Sequence, residues 1–204
     1  MMKLQPIVLL SVLSTLSAAA WAADGSAQEG EAKATTCIAC HGPAGNSANP
    51  EWPNLASQHA KYIAQQLQNF KGGVRQNPLM TPMAMPLSED DMADLAAYYA
   101  SQTLNGQLEA EAAKVPLGQR VYRGGDPNTG VAACIACHGP NGRGNPEAGY
   151  PSIRGQHATY VAAQLRNYRA GARATDPNQM MRTVAQTLTD EQIDAVAAYI
   201  QGLR

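Results

Sequence analysis

The sequence predicts an all-α protein made of two similar halves in tandem. Three observations carry that expectation. The pentapeptide Cys37-Ile38-Ala39-Cys40-His41 returns unchanged as Cys134-Ile135-Ala136-Cys137-His138. Apolar residues recur at helical spacing at matching places in both halves, and no stretch alternates apolar and polar residues as a half-buried strand would. The offset between matching segments is 97 at the cysteines, 98 at Gln58 and Gln156, and 101 at Leu87 and Leu188, a drift expected of a duplicated domain with altered loops.

Residues 1–22 have the composition of a secretory signal. Lys3 supplies the positive start, residues 7–20 are largely apolar, and Ala20-Trp21-Ala22 is a small-x-small cleavage pattern. The remaining chain is expected to start at Ala23 and to act outside the cytoplasm, in the periplasm. The alternative is a retained anchor, for which the apolar run is short. Residues 23–204 give room for two small domains. The expected division is 23–104 for the first, 105–117 for a linker and 118–204 for the second.

Within the first half Ile63, Leu67 and Phe70 fall at i, i+4 and i+7, and Gly72-Gly73 ends that helix. Val161, Leu165, Tyr168 and Gly171 do the same in the second half. Ser88 with Asp91, and Thr189 with Gln192, have the spacing of capping boxes that open the last helix of each half. Met92, Leu95 and Tyr99, then Ile193, Val196 and Ile200, supply the apolar faces. Gly124 to Gly130 forms a loop before the second cysteine motif that the first half lacks. Segment 103–117, with Gly106, Pro116 and a Glu-Ala stretch, is expected to be a linker with at most a short helical turn.

The repeated motif accounts for all four cysteines. Two thiols with two residues between them reach the two vinyl groups of one porphyrin, and the adjacent His then sits under the ring facing the iron. Cys37, Cys40, Cys134 and Cys137 are therefore expected to carry two covalent c-type haems, with His41 and His138 as axial ligands. A single four-thiolate zinc site and two structural disulfides are alternatives that leave the repeated His without a role, and a thioredoxin-like pair would want a βαβ pattern that the chain lacks.

The opposite axial position decides whether each iron is closed or open to added ligands. Met80 and Met181 each lie seven residues before the matching leucines Leu87 and Leu188, whereas Met83, Met85 and Met180 have no counterpart in the other half. This register selects Met80 and Met181. His59 and His157 are equally repeated rivals at a helix start, and contact with a haem edge, a propionate or the facing domain suits them better than ligation. Pro53 and Pro151, 12 and 13 residues after the His, offer a carbonyl that could accept the imidazole N–H and fix the ring.

Charge is uneven. Residues 23–114 hold 10 acidic and 5 basic side chains, net −5, and residues 115–204 hold 6 acidic and 9 basic, net +3. Such a dipole can orient an encounter with a redox partner, although ordinary surface variation would look the same. No basic stripe with interleaved aromatics points to nucleic acid.

The doubled Cys-x-x-Cys-His, the Gly-Gln-His-Ala-Thr-Tyr type of segment after each, and the closing Ala-Ala-Tyr-Ile-Gln-Gly-Leu resemble the dihaem cytochrome c4 family across nearly the whole chain after residue 22. The resemblance implies two class I cytochrome c domains related by an approximate two-fold axis, with haem propionates meeting near the interface. It implies His41 with Met80 and His138 with Met181 as axial pairs, and the carbonyl role for Pro53 and Pro151. It further implies a periplasmic electron carrier, sometimes peripherally associated with the membrane. Such a carrier takes electrons from a respiratory donor such as a cytochrome bc complex and passes them toward terminal oxidases. The alternatives are an electron-transfer subunit of a redox enzyme, such as a flavocytochrome sulfide dehydrogenase, and a haem peroxidase.

Overall fold

The computed structural model describes residues 25–105 and 110–204. The signal-like segment 1–22 and part of the expected linker lie outside the described residues. All regular structure among the described residues is helical, apart from two isolated antiparallel bridges, Asp126 with Val131 and Asn145 with Tyr150. The first bridge pins the extra loop ahead of the second cysteine motif.

The first half contains α1 (Ala27–Lys33), α2 (Thr35–His41), α3 (Ala60–Lys71), α4 (Met80–Ala84) and α5 (Glu89–Ser101). The second contains α6 (Val115–Gly124), α7 (Ile135–His138), α8 (Ala158–Arg169), α9 (Met180–Gln186) and α10 (Asp190–Gln201). Both capping boxes form. The Ser88 hydroxyl accepts from Asp91 N and the Asp91 carboxylate accepts from Ser88 N, and Thr189 and Gln192 repeat the arrangement. Residues 115–117, counted with the expected linker, form the first turn of α6. A turn over Ala112–Lys114 leads directly into α6, which begins at Val115 with Pro116 in its first turn, a position where the missing N–H costs nothing.

In each half the first helix crosses the last one, α1 on α5 and α6 on α10. Gly30 and Gly118 make the crossing possible. A Cβ on Gly30 would stand 2.0 Å from the Asp94 carbonyl oxygen, and one on Gly118 would stand 2.1 Å from that of Ala195. The backbones meet where only glycine leaves room. Around these crossings Ile63, Leu95, Ala96, Tyr98 and Tyr99 form one core, and Val121, Tyr122, Val161, Leu165, Ile193, Val196 and Ile200 form the other. Burying a side chain such as Ile193 contributes ~2 to 3 kcal/mol. α3 packs against α4 and α8 against α9, which fixes each methionine segment to the helix beside it. Lys71 Nζ reaches the Leu87 carbonyl, and Arg169 does the same to Leu188 at 3.0 Å, tying the end of each methionine segment down.

Candidate functional site

The cysteine motifs run along α2 and around α7, so each His emerges at the helix end next to its cysteine pair. All four cysteines are free thiols, so the disulfide alternative fails. No cluster of three or more His, Cys, Asp or Glu able to hold a metal ion exists among the described residues, and the four-thiolate zinc site fails with it.

His41 and His138 are buried, with 7 % and 8 % exposure. Their Nδ1 atoms lie 2.9 Å from the carbonyl oxygens of Pro53 and Pro151 respectively. A carbonyl only accepts, so Nδ1 carries the proton and Nε2 keeps its lone pair. Burial holds both imidazoles below the ordinary histidine range, against the opposing pull of the two carbonyls. The result is a pair of neutral, oriented imidazoles, each with one nitrogen free to bind a metal.

Met80 and Met181 occupy the first turns of α4 and α9 and are half-buried. Met181 packs against the second core together with Cys134, Ile135 and Ile153. Met80 N donates to the Asn77 carboxamide oxygen at 2.9 Å, which starts α4 at that residue. Met83 and Met85 are 43 % and 54 % exposed and Met180 is 36 % exposed, consistent with their lack of a counterpart.

His59 and His157 turn toward the facing domain. His59 Nε2 lies 2.8 Å from the Arg143 carbonyl and His157 Nε2 lies 2.9 Å from the Ser47 carbonyl. Of the contacts open to them from the sequence, the facing domain is the one the fold provides.

Between the halves lies a polar layer that the sequence did not single out. Arg75 donates to Tyr160 Oη at 3.0 Å and to the Gln164 carboxamide at 2.9 Å, across the interface. Arg173 answers with Tyr62 Oη at 2.7 Å and Gln66 at 3.2 Å. Each guanidinium also covers an aromatic ring of its own half, Arg75 over Phe70 at 4.6 Å and Arg173 over Tyr168 at 4.7 Å. Tyr62/Tyr160, Gln66/Gln164 and Arg75/Arg173 all repeat at the offset of 98 already seen at Gln58/Gln156. That shared offset was the signal available in the sequence.

This layer tests whether a porphyrin fits. Arg173 is 5 % exposed, and neither it nor Arg75 has a carboxylate within ion-pair distance among the described residues. A buried cation without an anion is unfavourable, and the two propionates of a haem supply such anions. The free cysteine pairs, the imidazoles with an open Nε2 and the unpaired guanidiniums together suit one haem per half.

The family model described as cytochrome c matches residues 27–103 and again 117–204. A cytochrome c4 of Thiocapsa roseopersicina is 50 % identical over 182 residues, covering 88 % of this chain and 93 % of that protein. A thiosulfate dehydrogenase electron acceptor of Thiomonas intermedia is 39 % identical, covering 96 % of this chain and 91 % of that protein. The crystal structure of reduced recombinant cytochrome c4 from Pseudomonas stutzeri superposes with a TM-score of 0.85 at 42 % identity, covering 88 % of this chain and all of that one. With two tandem class I cytochrome c domains, each suited to one covalently bound haem c, the chain belongs to the dihaem cytochrome c4 family of electron-transfer proteins.

Proposed function

We propose that the protein is a periplasmic electron carrier in which His41 with Met80 and His138 with Met181 would hold the two haem irons. Cys37, Cys40, Cys134 and Cys137 hold the two haems through thioethers, and Pro53 and Pro151 fix the ligand imidazoles. The observation that carries this reading is the pair of buried, neutral imidazoles held at the same 2.9 Å distance from a proline carbonyl in both halves. Bound haem supplies one-electron chemistry between ferrous and ferric iron. The chain's own part is to orient each imidazole, to offer soft thioethers that would raise the reduction potential of a bound haem, and to supply Arg75 and Arg173 that would neutralise its acidic edges. The donor is a respiratory complex of the cytochrome bc type and the acceptor a terminal oxidase. The acidic first half and basic second half favour an oriented encounter with such partners.

A second reading, service as the electron acceptor of a sulfur-oxidising dehydrogenase, is favoured by the name of the Thiomonas intermedia relative. Mixing the oxidised protein with each candidate donor and following reduction separates the two readings. The fold and ligand pattern are the same in both.

The test of the sites themselves is an absorption spectrum of the exported protein, oxidised and then reduced, with carbon monoxide added last, and a haem assay on the same sample. Two haems per chain, a far-red methionine–iron band when oxidised and no response to carbon monoxide are expected. A carbon monoxide shift would overturn the Met80 or Met181 assignment and move the protein toward a haem peroxidase.

A further inference from the structure

The same peptide unit that holds each ligand imidazole is gripped by a glutamine of the other half. Pro53 C=O, which accepts from His41 Nδ1 at 2.9 Å, belongs to the peptide whose N–H is that of Asn54. Asn54 N–H donates to Gln156 Oε1 at 2.8 Å, and Gln156 Nε2 donates to the Asn54 carbonyl at 2.9 Å. In the other half, Pro151 C=O accepts from His138 Nδ1 at 2.9 Å, and the N–H of that peptide is that of Ser152. Ser152 N–H donates to Gln58 Oε1 at 3.0 Å, and Gln58 Nε2 donates to the Ser152 carbonyl at 2.7 Å. Backbone partners fix the orientation of both carboxamides, because an N–H can only donate and a C=O can only accept. Each Oε1 also accepts the N–H of the next residue in its own half, His59 at 3.0 Å or His157 at 3.1 Å, so it is held from two sides. Both glutamines are 9 % exposed, and water competes little for these bonds.

We propose that Gln58 and Gln156 are positioning residues that set the reduction potential of the haem in the opposite domain. The inference rests on His41 and His138 being the iron ligands. A peptide whose N–H is engaged carries more negative charge on its carbonyl oxygen, and hydrogen bonds in such a chain reinforce one another. The stronger acceptor draws the Nδ1 proton of the ligand imidazole and makes Nε2 a better donor to iron. A more basic ligand favours ferric iron, so the intact chain holds the potential down. The two paths cross at the interface: Gln156 acts on the first domain and Gln58 on the second.

The test uses the full-length dihaem protein. Proton NMR resolves the haem methyls of the oxidised form, and each set is assigned to its domain and followed through a redox titration. In Gln58→Leu the potential of the second-domain haem is expected to rise, by roughly a threefold change in its reduction equilibrium, while the first-domain haem stays in place. Gln156→Leu should give the mirror result. No movement in either variant, or movement of the haem in the substituted domain itself, overturns the proposal. Should the leucine variants fail to assemble, Gln58→Glu keeps a charged acceptor on Ser152 N–H while giving up the Nε2 donor to the Ser152 carbonyl, so the second-domain haem should move down more than the first. An equal shift of both haems would mean charge alone and would also overturn it. If the parent lacks the hyperfine-shifted ring protons of the axial histidines, the ligand assignment itself has failed, a result visible before any variant is made.

Discussion

Met181 packs into the core of the second half with Cys134, Ile135 and Ile153, whereas the methionine segment of the first half leaves Leu79 60 % exposed and Met83 and Met85 nearly as open. The two halves also fill their helix crossings differently. Four residues after the crossing glycine the first half has Ala34 and the second has Tyr122. On the facing helix the first half has Tyr99, where the second has Ile200. One large aromatic therefore fills the space in each half, contributed by the last helix in one and by the first helix in the other. The polar consequence differs. Tyr122 Oη donates to the Gly139 carbonyl at 2.6 Å, whereas Tyr99 Oη is buried beside Cys37 with no hydrogen-bond partner of good geometry. Core volume tolerates such exchanges as long as the total is kept. Hydrogen bonding does not follow automatically, because a hydroxyl moved to the other helix needs a new acceptor.

Removing the methionines one at a time should separate the two halves most strongly. Met181→Ala and Met80→Ala should each abolish half of the far-red band and open one iron to carbon monoxide, whereas Met83→Leu and Met85→Leu should leave both untouched. A band that survives Met80→Ala but is lost in Met83→Leu would shift the first-half ligand by one helical turn.

Next in size are the crossing glycines. Gly118→Ala and Gly30→Ala each drive a methyl into a backbone carbonyl and should cost ~3 kcal/mol. Denaturant unfolding checks this. A near-neutral result in one half only would show that its crossing can relax.

The tyrosines separate the halves more finely. Tyr122→Phe loses a made hydrogen bond and should cost about 1 kcal/mol. Tyr99→Phe loses none and should be neutral or slightly stabilising.

The smallest effect concerns pH. Burial holds His157 below the ordinary histidine value, against the Ser47 carbonyl that favours its charged form. Below that ordinary value, about 6.5, the unfolded chain takes up a proton that folded His157 refuses. Its stabilising contribution is therefore complete above about 6.5 and declines as the pH falls from there. The stability lost between pH 7 and pH 5 should be smaller in His157→Gln than in the parent. An equal loss in both would remove His157 from the account.

Features that depend on near neighbours and on repetition were legible in the chain alone. The pentapeptides nominate Cys37, Cys40, Cys134 and Cys137 as haem attachment points, because two thiols and an imidazole at that spacing address one ring. Ser88 with Asp91 and Thr189 with Gln192 announced their helices, because capping is decided within one turn. The helix over Ile63, Leu67 and Phe70 and its twin over Val161, Leu165 and Tyr168 were legible from their period. The Gly30 and Gly118 crossings were not, because a close approach depends on a helix more than 60 residues away. The early start of α6 was hidden by the Glu-Ala stretch and Pro116, which suit a loop or a first helical turn equally well. What the repeated Gln, His, Tyr and Arg residues face followed from the packing of the two halves. Their offset of 98 was visible, but a duplication lets each residue contact its own half or the other with the same spacing. The fold crosses them, Gln58 to Ser152 and Gln156 to Asn54, because an approximate two-fold axis brings the same surface of both halves together and each residue then meets the other copy of its partner.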